Sequence, residues 1–203
     1  MTATASCRPR AKGLPIIALD RSMDPKVFCS VVSDDQPASL ELTRSLLELK
    51  PANIALIGAR AELSVSQARA SGFDQALHAF NGKVSQYQGE SFSRECGREL
   101  MSQLLAEQGR LPDALVTTSY VLLQGVFDVL STRPADSRAL HLGTFGDTQL
   151  LDFLPLPVNA MAQQHGLIAE TALELALAAV EQKQYQPGIH AVARTFKQRI
   201  FKG

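Results

Sequence analysis

The sequence predicts an α/β fold made of doubly wound parallel sheets. Short apolar runs alternate with helix-length amphipathic segments, Gly, Pro, Asp and Ser punctuate the junctions, and polar residues recur just after successive runs. With 203 residues, 45% of them hydrophobic and 20% charged, the chain can bury the core of one domain or of two small lobes.

Taken in order, residues 1–13 (MTATASCRPRAKG) show no hydrophobic period and are read as a tail outside the fold. Their acid-poor composition with Arg and Ser also suits a transit peptide, which their shortness and lack of amphipathic pattern disfavour. Strands are expected at 14–19, 28–32, 53–57, 84–87, 114–117, 139–144, 158–161 and 189–196. Pro37 suits a first helical turn, after which Leu40, Leu42, Leu46, Leu47 and Leu49 are expected to form one buried stripe. Ser64 and Ser91 are the expected N-caps of the next two helices, and 120–130 and 167–180 are the remaining long ones. The first two strands stand too close for a crossover helix, with an Asp24-Pro25 turn between them, so they are expected in different sheets or on a chain passing between lobes. The last strand, after Tyr185, Pro187 and Gly188, has no helix behind it. Two lobes with several chain crossings account for both ends.

Several classes of function are disfavoured. Lys+Arg and Asp+Glu both number 20, so the chain carries no overall basic charge to attract a phosphate backbone. Cys7, Cys29 and Cys96 are odd in number and share no short spacing, which suits a reducing cytoplasm. No apolar run approaches the roughly 20 residues of a membrane span, so no membrane partner is expected. His78, His141, His165 and His190 lack metal-ligand spacing, and neither metal nor cofactor is expected.

Ligands of a doubly wound sheet bind beyond the carboxyl ends of its strands, so the residues that follow each strand are the candidates. They are Asp20 and Arg21; Gly58 and the loop to Ser64, Ser66 and Arg69; Gln88 to Phe92; Thr117 to Tyr120; Phe145 to Asp147; and Gln163 to His165. Carboxylates take sugar hydroxyls, guanidinium groups fork onto phosphate, and an aromatic face covers the apolar side of a sugar ring. Singly, Asp20 and Asp147 are as well explained as turn caps, Arg69 as a solvated helix residue and Phe92 as core. Their recurrence at one end of successive strands favours the ligand. Catalytic patterns are weak: the turn at Ser119 lacks the glycines of a nucleophile elbow, Asn81-Gly82-Lys83 lacks the rest of a phosphate loop, and HLGTFGD lacks GxGxxG.

The segments LPIIALDR, ELSVSQARASGF, LVTTSYVLLQGVFDVL, GTFGDTQLLDFL and AMAQQH resemble the effector-binding region of the lactose-repressor/galactose-repressor family of bacterial transcription regulators, in its fructose-repressor branch. The resemblance runs from about Leu14 to the end of the chain. It implies a periplasmic-binding-protein-like fold of two α/β lobes joined by three crossovers, with the effector in the cleft. It places Asp20 at the inter-lobe hinge followed by Arg21, makes Arg69 the effector-binding arginine and Phe92 the pocket aromatic, and assigns Asp147 to effector hydroxyls. Gln163 falls at a crossover, and Thr118-Ser119 stand where the family usually has Asn-Asp. The implied partner is a small-molecule sugar phosphate, fructose 1-phosphate or fructose 1,6-bisphosphate. DNA contact is expected only through a headpiece outside this chain, and a homodimer in the full-length protein.

On this resemblance the N-terminal lobe is expected to be truncated. Residues 14–33 and 163–191 form its remnant, and 34–162 with 192–203 form the C-terminal effector-binding lobe. Such a remnant exposes apolar faces and unpaired strand edges. The expected function is effector sensing without catalysis, against two alternatives: a non-functional fragment, or an enzyme using Ser119, Asp147 or His165.

Overall fold

The computed structural model describes residues 15–133 and 139–199. Leu14 and the 1–13 tail lie outside them. The chain divides into two compact units, one combining residues up to Asp34 with Gln164–Ala193, the other Asp35–Gln163 with the residues from Arg194 on.

The larger unit is a six-stranded sheet. Its strands are β3 (Asn53–Ala59), β4 (Lys83–Gly89), β5 (Ala114–Thr117), β6 (His141–Phe145), β7 (Val158–Ala162) and β9 (Thr195–Lys197), in the order β4-β3-β5-β6-β7-β9. All pairings are parallel except β7 with β9, which are antiparallel. Period-two alternation sends residues to opposite faces. Ile54, Leu56, Ala114, Val116, Phe145 and Met161 pack with α1 (Asp35–Leu47) and α2 (Ser64–Ala76). Ala55, Ile57, Leu115, Leu142, Val158 and Ala160 pack with α3 (Arg94–Gln108) and α4 (Tyr120–Leu130) on the other face. Continuous apolar runs in β3 and β5 are therefore the expected consequence of burial on both sides.

The smaller unit is a parallel sheet in the order β1 (Ile17–Leu19), β2 (Cys29–Ser33), β8 (Gly188–Val192), covered by α5 (His165–Glu181). Its core is small: Val31, Ile168 and Val192, with Ile17, Ala172 and Leu175 against them. The Tyr185 hydroxyl accepts from Cys29 N at 3.0 Å and donates to Ile16 O at 2.8 Å.

Four expectations are corrected. β1 and β2 are hydrogen-bonded neighbours, not members of different sheets. A three-residue strand leaves little distance to retrace, and residues 20–28, turned on the Asp24 carbonyl, cover it without a helix. The single strand expected at 189–196 is two strands in two sheets, broken at Ala193-Arg194 where the chain passes between units. Helix α2 starts at Ser64 with Leu63 as N-cap and no side-chain cap, and α3 is capped by Ser93, whose Oγ accepts from Cys96 N at 3.1 Å; Ser91 instead pairs with the Ser93 hydroxyl. Leu42 and Leu46 are buried as expected, but Leu49 lies beyond the end of α1 and is 52% exposed.

Two experiments follow from the packing. A Cβ added at Gly125 comes within 1.9 Å of the Arg94 carbonyl oxygen, and one at Gly97 within 2.1 Å of the Leu122 carbonyl oxygen, so α3 and α4 cross at glycines. Gly125→Ala is expected to cost about 1–3 kcal/mol or more in urea unfolding, because backbone rather than a movable side chain must yield. Leu19, Leu173, Leu177, Val180 and Ile189 of the smaller unit are exposed. Amide exchange is expected to be faster in β1, β2, β8 and α5 than in β3, β5 and β6; equal protection overturns this.

Candidate functional site

The candidate site of the larger unit grows from the carboxyl edge of its sheet, where β5 runs into Thr118 and β6 ends on Phe145. Arg69, on α2, donates from Nε to Asp35 Oδ1 at 2.9 Å and from Nη1 to the Thr118 carbonyl at 2.6 Å. Arg194, just before β9, donates from Nε to the same Asp35 Oδ1 at 2.9 Å. Both guanidinium groups lie over the Phe145 ring, 4.4 Å and 5.4 Å from its centroid, within cation–π range. The side chains of Arg69, Arg194 and Asp35 are only 11%, 4% and 9% exposed. Two buried cations thus share one buried carboxylate.

Thr118 and Ser119 open α4. The Thr118 amide donates to Ile57 O at 2.9 Å, and its buried Oγ1 has no hydrogen-bond partner among the described residues. Ser119 is the N-cap, its Oγ accepting from Val121 N at 3.3 Å, which is why the helix starts where it does. Phe92 is half-buried against the core cluster shared by α3 and α4.

Asp147 lies in a second charge network. Its Oδ2 accepts from Lys197 Nζ at 2.5 Å and its Oδ1 from Arg199 Nη2 at 2.8 Å, while Arg199 also reaches Asp152 Oδ1 at 2.8 Å. Burial pushes the Asp147 carboxyl up, but the hydrogen bonds and charges of Lys197 and Arg199 outweigh it and hold the group below the ordinary carboxylate range.

Gln163 directly follows β7 and is half-buried. In the smaller unit Asp20 follows β1 in the left-handed region (φ 54°), with its amide donating to Val31 O at 3.0 Å; it and Arg21 are exposed. Arg69 and Thr118 are thus brought together, and Asp147 is joined to β9 and the segment just past it. Asp35 and Arg194 were missed by sequence reasoning. Asp35 looks like a helix-start acid in SDDQPAS, and Arg194 was hidden inside an expected continuous strand; a polar residue at the strand break was the available signal. Among the described residues no group of three or more His, Cys, Asp or Glu is placed to hold a metal ion. No helix there is long and apolar enough to cross a membrane.

A family model described as periplasmic binding proteins and sugar binding domain of LacI family matches residues 6–134. The chain belongs to the LacI family. It is 45% identical over 187 residues to the fructose operon regulatory protein of Vibrio cholerae, covering 92% of this chain and 57% of that protein. It is 40% identical over 190 residues to the catabolite repressor/activator of Escherichia coli K12, covering 91% and 56%. The crystal structure of the Cra transcriptional dual regulator from Pseudomonas putida in complex with fructose 1-phosphate is 72% identical, with a TM-score of 0.89, covering 94% of this chain and 70% of that one. This LacI-family chain spans just over half the length of the curated relatives it matches. Its α/β architecture is of the periplasmic-binding-protein type.

The Asp147 network has a pH signature. The folded carboxyl titrates below its unfolded value, so the network's contribution is complete above about pH 4 and is lost as pH falls through the folded value. Asp147→Asn is expected to be about 1–3 kcal/mol less stable than the parent near pH 7 in urea unfolding, with the gap closing in acid. A pH-independent gap contradicts an ionic role.

Proposed function

We propose that this LacI-family chain is the effector-binding part of a fructose-responsive bacterial transcription regulator. Its effector is a sugar phosphate, fructose 1-phosphate first, and it binds that ligand without transforming it. The observation that carries the reading is the buried Arg69–Asp35–Arg194 cluster at the carboxyl edge of the sheet. Guanidinium groups are suited to binding a phosphoryl group, and the Pseudomonas putida regulator, 72% identical, was solved in complex with fructose 1-phosphate.

The family resemblance assigns effector contacts to Asp20, Arg21, Arg69, Phe92, Thr118, Ser119, Asp147 and Gln163. In the full-length regulator, effector binding is linked to operator affinity through a DNA-binding headpiece outside these residues, in a cytoplasmic homodimer. The enzyme reading is disfavoured by what occupies its candidates. Ser119 Oγ accepts a helix N–H, and Asp147 is held by two cations instead of standing near a nucleophile. The relatives at 45% and 40% identity bear the names of regulators.

Titration calorimetry of the chain with fructose 1-phosphate tests the reading. Binding is expected, and Arg69→Ala is expected to lose about 1.5–3 kcal/mol, roughly tenfold to a hundredfold in affinity. Absence of binding by the parent chain favours the non-functional fragment, and unchanged affinity in the variant removes Arg69 from the phosphate contact.

A further inference from the structure

Helix α5 is apolar on two sides. Ile168, Ala172 and Leu175 pack with Val31, Val192 and Ile17 of the small sheet. Leu173, Leu177 and Val180 follow one another at i, i+4 and i+7 on another side and are 59%, 45% and 64% exposed. A helix that covers a single sheet ordinarily carries polar residues away from it, so three large apolar side chains in one outward row mark a contact face. The row spans two turns, enough to pack its ridge into the groove of another helix.

The flanking charges say what kind of partner fits. Between His165 and Glu181 the helix carries Glu170, Glu174 and Glu181 and neither Lys nor Arg. An acidic rim repels the anionic surface of a membrane, which amphipathic helices approach with basic residues. It calls for a partner that brings an apolar row with a cation at its end, and the chain itself offers that combination. Lys183 stands just past the end of α5, and both it and Glu170 are exposed. With α5 of two copies antiparallel about a two-fold axis, setting Leu173 against Val180 of the other copy brings the two Leu177 side chains together at the axis. The same register sets Glu170 against Lys183 at both ends of the contact, whereas a parallel pair sets like charges against each other there. We propose that the outward face of α5 is a docking surface for a second copy of this chain, in an antiparallel α5 pair centred on Leu177. The proposal concerns the smaller unit alone and is independent of the effector. Three large side chains per copy make a contact below the roughly 1,200 Å² at which stable interfaces begin, so the association is reversible.

The test is sedimentation velocity of the chain between about 5 µM and about 500 µM, the range a small interface calls for, with circular dichroism to confirm that each variant is folded. The chain is expected to pass from one copy to two across that range. Leu177→Asp sets two carboxylates against each other at the axis and is expected to weaken the pair roughly tenfold or more. Glu170→Lys and Lys183→Glu each turn attraction into repulsion at both ends, and each is expected to weaken it roughly threefold to tenfold. The double variant Glu170→Lys with Lys183→Glu restores opposite charges and is expected to recover most of the loss. A chain that stays single across the range overturns the proposal, as does a dimer that Leu177→Asp leaves intact. A dimer indifferent to both charge reversals, or not recovered in the double variant, overturns it as well, because the register is part of it. If Leu177→Asp does not fold, the reversals at the two exposed charged positions decide. A chain that stays single, yet binds through Leu177 the part of the Vibrio cholerae regulator that it does not match, gives this face to that segment and rejects the second copy.

Discussion

Burial of the interior strands on both faces is the constraint on which the larger unit depends. Ile54 and Leu56 face one helix layer, while Ala55 and Ile57 face the other, and none of the four is more than 1% exposed. A sheet covered on both sides needs crossover helices, and those crossovers make its strands parallel. Parallel strands bring all their carboxyl ends to one edge, with helix starts beside them. Thr118, Phe145 and Asp35 meet there because of that geometry, and Arg69 reaches them from α2. The hydrophobic core therefore decides where the polar chemistry can collect.

The charges at that edge fall into two groups with different characters. Around Asp147, two cations meet two carboxylates, and the ions are matched in number. Such a network is complete in itself and ties β9 and the residues after it to the loop after β6. Around Asp35, the Nε atoms of Arg69 and Arg194 both donate to one carboxylate oxygen, Oδ1.

The smaller unit shows what happens where a sheet is covered less fully. Its three short strands and single helix bury few apolar side chains, and Leu173, Leu177 and Val180 of α5 remain exposed. The short return between β1 and β2 belongs to the same economy of size, since strands of three and five residues can be joined in parallel by a loop. The expectation of separate sheets failed because it applied a rule for full-length strands to very short ones.

By itself the sequence determined the α/β class, most of the strands and the span of α4, because apolar periodicity and turn residues are local signals that burial merely uses. It also marked Arg69, Phe92, Thr118 and Asp147 as candidates, through their positions after strands and through family resemblance. Only the tertiary structure decided that Asp147 is matched by Lys197 and Arg199, and that Asp35 and Arg194, far apart in the chain, share one carboxylate oxygen with Arg69. The break at Ala193-Arg194 that frees Arg194 from a strand was equally hidden. Periodicity records which side of an element is buried; it carries no record of which distant charge will meet it, because that depends on the order in which strands are laid side by side.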